Sequence, residues 1–188
     1  MSGSNFTRIA GAALATSLLA LGAGTPVQAG DGNTVRAGFL VNPVGTVAMV
    51  EYEHLLGSKA SIGARLGYID YDYKDGSYRE VGDGPGIEFL GRFYPQGKGH
   101  EGFYVGGAIG LWRPSWRWTD PFDTPTSDTG TSSTIDVNFN IGWKIPLGTK
   151  RVYLDPHFAI GNFFSLSSDD TANLGFYAAA GLSVGMVF

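Results

Sequence analysis

Asp155 and His157, with Ser165 and Ser167 further along, are the residues whose types could support a nucleophilic step. A hydroxyl nucleophile needs a base within hydrogen-bonding reach and an acid that orients the base. The pattern around them points elsewhere. Residues 151–163 (RVYLDPHFAIGNF) alternate in polarity. A period of two is a strand, and residues two apart then share a face. Arg151, Asp155 and His157 fall together on the polar face of that strand.

Other stretches resemble chemistry more weakly. Asp70, Asp72, Asp75 and Gly76 approach a calcium loop, but their spacing departs from the EF-hand pattern and no helix flanks them. Gly106 to Gly110 is glycine-rich but lies inside a strand pattern with no helix after it, so it is not a phosphate cradle. Cysteine is absent, which removes thiolate ligands, thiol nucleophiles and disulfides. No metal site, cofactor motif or catalytic residue is assigned. His54 and His100 sit beside turns and read as plain surface or interface residues. The most distinctive stretch is Trp112-Arg113-Pro114-Ser115-Trp116-Arg117-Trp118. Arg113 and Arg117 suit phosphates, and Trp112, Trp116 and Trp118 suit a membrane interface, so this is a candidate rim facing lipid or lipopolysaccharide.

The elements that must position these residues are strands. Glycine is abundant, at 29 residues, and each interior glycine costs a helix roughly 1 kcal/mol. The net charge of -4 argues against a nucleic-acid surface. Residues 1–29 read as a secretory signal peptide: Arg8, an apolar core over 9–23, then Val27-Gln28-Ala29. That core is shorter than the ~18–20 apolar residues of a spanning helix. Residues 30–188 read as one domain.

Within 30–188, eight alternating segments are expected, near 34–41, 46–55, 60–73, 86–94, 102–113, 133–145, 151–163 and 176–188. Each is near the ~9–11 residues of a tilted membrane strand. Short turns follow the second, fourth and sixth; long loops (74–85, 114–132, 164–174) follow the third, fifth and seventh. That rhythm and the even count predict an all-β fold, an eight-stranded antiparallel up-and-down transmembrane barrel. Small residues such as Gly106, Ala108 and Gly110 share the face opposite the large apolar ones. A narrow barrel interior needs them; a solvated outer face does not. Parity then places Arg36, Glu51, Glu53, Arg65, Glu88, Arg92, Asp136, Lys144, Arg151, Asp155 and His157 inside. Acids and bases nearly balance, so the expectation is a closed ion-pair network that plugs the lumen.

Val41-Asn42-Pro43-x-Gly45, Val50-Glu51-Tyr52-Glu53, Ser61-Ile62-Gly63-x-x-x-Gly67-Tyr68 and Gly91-Arg92-Phe93-Tyr94-Pro95 resemble the small eight-stranded outer-membrane barrels, the opacity-like and porin-superfamily proteins. The resemblance spans residues 30–188. It implies a meander in the outer membrane of a Gram-negative bacterium, with a structural, adhesive or surface-interaction role. The alternating last strand, ending on Phe188, is similar to the terminal strand of such barrels and implies a contact with the barrel-assembly machinery. Outer-membrane lipid, lipopolysaccharide and an extracellular partner at the long loops are the other implied partners. A narrow channel for small solutes is the alternative function. A lipid A-modifying enzyme ranks third, because the His-x-Ser-Asn motif of such barrels is absent.

Overall fold

The computed structural model of the chain describes residues 32–75, 78–119, 127–148, 151–166 and 175–188. The segment read as a signal peptide and most of the loop at 164–174 lie outside the described residues. Ten strands are present among them: β1 (Asn33–Asn42), β2 (Gly45–Leu55), β3 (Ala60–Asp75), β4 (Tyr78–Phe93), β5 (Gly102–Trp112), β6 (Ser115–Thr119), β7 (Ser127–Thr131), β8 (Thr134–Leu147), β9 (Val152–Ser165) and β10 (Phe176–Val187). Every pairing among these strands is antiparallel.

Eight of these strands close a barrel. β1, β2, β3, β4, β5, β8, β9 and β10 pair in turn, and β10 returns to β1 with Ala37 opposite Val184. Closure removes the sheet edges, whose unpaired peptide groups would each cost several kcal/mol in hydrocarbon. Phe188 donates its backbone N–H to the Asn33 carbonyl at 3.0 Å and extends the seam, while its ring lies 6.5 Å from that of Tyr52.

The structure departs from the sequence expectation at the end of the barrel away from the termini. Of residues 74–85, expected as a loop, 74–75 continue β3 and 78–85 begin β4, paired as far as Asp75 opposite Tyr78. Within 114–132, also expected as a loop, β6 and β7 pair with each other and β6 pairs with the upper part of β4. β3, β4, β6 and β7 thus build a four-stranded sheet that projects past the barrel. Glycine, proline and aspartate hid these strands, because such residues are depleted in ordinary strands. Here Gly82 and Gly84 face bulky neighbours, namely the Tyr71 ring and the backbone of Arg113 and Pro114, so small residues fit.

The faces are inverted relative to a water-soluble barrel. Leu66, Phe89, Ile109, Phe139 and Trp143 are exposed on the outer wall. Arg36, Glu51, Glu53, Lys144 and Asp155 are each 1% exposed or less. An apolar outside around a charged inside is the pattern that a lipid solvent selects. The interior has two layers. Charged groups fill the half nearer the termini, and Leu40, Val47, Met49, Ile69, Tyr71, Trp112 and Trp116 fill the half nearer the projecting sheet.

Candidate functional site

The lumen is built on one ladder row. Arg36 on β1 stands opposite Glu51 on β2, and Glu51 opposite Arg65 on β3. Arg65 then stands opposite Glu88 on β4, Glu88 opposite Gly110 on β5, and Gly110 opposite Asp136 on β8. Directly opposed residues on one face come within about 5 Å at Cβ, so the alternating signs from Arg36 to Glu88 give Glu51 and Arg65 an opposite charge on either side.

Glu51 is the hub. It accepts from Arg36 Nη2 at 2.7 Å, from Arg65 Nη2 at 3.0 Å, and from both Nη atoms of Arg92, at 2.6 and 2.9 Å. Arg65 also reaches Glu88 at 2.8 Å. Arg92 continues to Glu53 at 2.7 Å, and Lys144 meets the same Glu53 oxygen at 2.5 Å. Glu53 further accepts from Ser61 at 2.5 Å and from the Tyr94 hydroxyl. Asp155 pairs with Arg36 and accepts from Tyr104. Tyrosine rings cover the cations: Arg92 lies 4.8 Å from the Tyr104 ring centre, and Lys144 lies 5.0 Å from that of Tyr153. Asp136 has neutral donors instead, Asn138 at 2.6 Å and the Tyr177 hydroxyl at 3.0 Å.

Two placements correct the inward set and its neighbours. Arg151 is exposed in the turn before β9, so it lies outside the network and its carbonyl accepts from the Val187 N–H. Strand parity failed there because the strand starts one residue later, at Val152. His100 is buried at 8% exposure, contrary to its reading as a surface or interface residue, whereas His54 is exposed and contacts Asn33 at 2.8 Å.

The nucleophilic set is not assembled. The Asp155 carboxylate is taken by Arg36 and Tyr104, and His157 Nδ1 contacts the Asp155 backbone carbonyl at 2.9 Å. His157 is buried in the lumen, and Ser165 is exposed eight residues up the same strand. At ~3.3 Å per residue that is about 26 Å, far beyond proton transfer. Ser167 lies outside the described residues.

The tryptophan-arginine stretch divides by parity. Trp112 and Trp116, expected to face lipid, point inward at 3% and 8% exposure. Trp112 packs edge-on to Phe163 at 6.4 Å, and its ring occupies the space left by Gly67 and Gly86. Tryptophan suits a membrane interface, but here the glycines on neighbouring strands leave an interior slot for a ring. Trp118 is half-buried against the same cluster. Arg113 and Arg117 are exposed on the outer face.

Asp70 and Asp72 lie on the outer face of β3, and Asp72 forms an exposed ion pair with Arg79 at 2.8 Å. Among the described residues no group of three or more metal-ligating side chains occurs.

No protein-family model matches the chain, and no curated protein matches it by sequence. Solved structures match by fold. The N-terminal β-barrel domain of Pseudomonas aeruginosa OprF matches at 12% identity over 83% of this chain and 96% of that one, with a TM-score of 0.51. A major outer membrane protein from Thermus thermophilus matches at 15% identity, over 83% and 98%, with a TM-score of 0.60. The translocator domain of the autotransporter NalP from Neisseria meningitidis matches at 11% identity, over 98% of each chain, with a TM-score of 0.52. The fold is that of the outer-membrane β-barrels: a closed eight-stranded antiparallel barrel with an apolar outer wall.

Proposed function

We propose that the protein is a non-catalytic, non-conducting barrel of the bacterial outer membrane, acting structurally and through the surface it presents beyond the membrane. The supporting observation is the closed lumen. The ion-pair network around Glu51 and the apolar cluster around Trp112 fill successive layers of the interior. The enclosed space between Arg65, Glu88, Asp136 and Trp112 is about 20 Å³, the size of one water molecule. A solute path would have to break both layers. The termini then lie on the periplasmic side, and the β3–β4–β6–β7 sheet stands outside the cell, available to an extracellular partner. Phe188, at the barrel seam, is the residue offered to the assembly machinery, and Arg113 and Arg117 are the cations offered to lipopolysaccharide.

Planar-bilayer recording tests this reading. Purified protein is expected to give no steady single-channel conductance at neutral pH. Reproducible open levels in the wild type would overturn the plug and favour a narrow solute channel.

A further inference from the structure

The outer wall below and beside the projecting sheet carries two depressions that stack along the strands. The lower is a groove of about 530 Å³ lined mainly by apolar groups, among them Leu66, Ile87, Leu111 and Leu166, with Arg113 at its upper end. The upper is a pocket of about 660 Å³ lined by Asp70, Asp83, Ser115, Arg117, Thr129 and Thr131. The register orders them. Leu66, Ile87 and Leu111 form one row across β3, β4 and β5. Tyr68 and Pro85 form the next, and the Arg113 N–H donates to the Pro85 carbonyl at 2.9 Å. Asp70, Asp83, Ser115 and Thr131 form the third, and Asp72, Val81, Arg117 and Thr129 the fourth. Moving outward, the wall changes from aliphatic, to aromatic with a cation, to hydroxyl and carboxylate, to a second cation.

We infer that this trough binds one molecule of a phosphorylated glycolipid of the outer leaflet, with an acyl chain in the lower groove and its anionic saccharide in the upper pocket. The inference rests on the proposed orientation of the barrel in the membrane. Three features select the ligand. Leu66 and Leu111 are 63% and 54% exposed beside an apolar groove of about 530 Å³, which offers an acyl chain a continuous aliphatic surface. Arg113 and Arg117 are four residues apart on one face, about 13 Å along a strand, so they suit two anionic groups on one headgroup. A glycerophospholipid with one phosphate engages only one of them. Between them, Ser115, Thr131 and the Asp70–Asp83 pair offer the donors and acceptors that sugar hydroxyls use. Tyr68 already donates to Asp83, which fixes that carboxylate at the mouth of the pocket.

Native mass spectrometry of the full protein in mild detergent tests the inference, with bis-phosphorylated lipid A as the probe and phosphatidylglycerol as competitor. The wild type is expected to keep one lipid A under activation that strips phosphatidylglycerol. Arg113→Ala/Arg117→Ala is expected to lower the retained fraction at least tenfold. Arg151→Ala, an exposed arginine in the turn before β9 at the opposite end of the barrel, is expected to leave it unchanged. Heat-modifiable gel migration of all variants verifies that each barrel is folded. Equal retention of both lipids, no retention, or an equal loss in Arg151→Ala would overturn the site. The bilayer recording reports on the plug independently, so a failed trough and a failed plug are separable.

Discussion

Glu88 and Asp136 face each other across Gly110, which stands opposite both of them in the ladder. Two acids become neighbours across the intervening strand only because that strand carries no side chain at that level. A Cβ built at Gly110 would lie 2.5 Å from Glu88 Cγ and 2.8 Å from the Ile87 carbonyl oxygen. Gly110→Ala is therefore expected to destabilise the barrel by about 1–3 kcal/mol through overpacking. Urea unfolding in lipid vesicles, followed by tryptophan fluorescence, would show a lower midpoint. An unchanged midpoint would mean that Glu88 can swing away at no cost, and that its bond to Arg65 is dispensable.

Glu51 holds Arg36, Arg65 and Arg92 together in the lumen, where all four side chains are at most 4% exposed. Removing one member of a buried ion cluster leaves the others uncompensated, which typically costs about 3–5 kcal/mol. Glu51→Gln preserves shape and removes the charge, so a loss of about that size is expected in the same unfolding assay. Conductance is expected to stay absent, because the layer of Trp112, Ile69 and Leu40 remains in place. Open levels in Glu51→Gln would assign closure to the ions alone.

Alternation made the barrel strands legible, because a sheet with lipid on one side and charges on the other repeats every two residues. The inward charges from Arg36 to His157 follow from the same count. Arg151 did not, since parity holds only inside the strand. Partnering was also invisible. Nothing local marks Glu51 as the hub for Arg92, which is 41 positions away. Trp112 and Trp116 misled for a related reason. Their slots are cut by Gly67, Gly86 and Gly130 on other strands, a condition that residues 112–118 do not contain. The projecting sheet was hidden by its glycine and aspartate content, which local propensity reads as loop.

Trp143 is the tryptophan placed against the lipid-facing wall. It is 49% exposed, and its ring lies 6.2 Å from that of Phe103. Trp112 sits inside at 3%. Lipids brominated on their acyl chains quench only by contact, so Trp143→Phe is expected to abolish most of the quenching in vesicles. Trp112→Phe is expected to leave it intact. The reverse outcome would put Trp112 back on the lipid-facing rim.

Asp70 stands directly opposite Asp83, beyond the apolar belt, and Asp72 is close by. Partial burial, and then the charges of Asp83 and Asp72, raise the Asp70 carboxyl above its ordinary range. A raised carboxyl is easier to protonate in the folded state than in the unfolded one. Its contribution is thus fully present below the unfolded value near ~3.9 and is lost as pH rises through the folded value. Directly opposed like charges on a sheet cost roughly 0.2–1 kcal/mol. Asp70→Asn is therefore expected to stabilise the protein by about that amount at pH 8, and the gain should vanish near pH 3, where both proteins are neutral at this position. Urea midpoints at the two pH values provide the check. A loss at pH 8 would mean that the ionised Asp70 is held by an attraction stronger than its repulsion from Asp83.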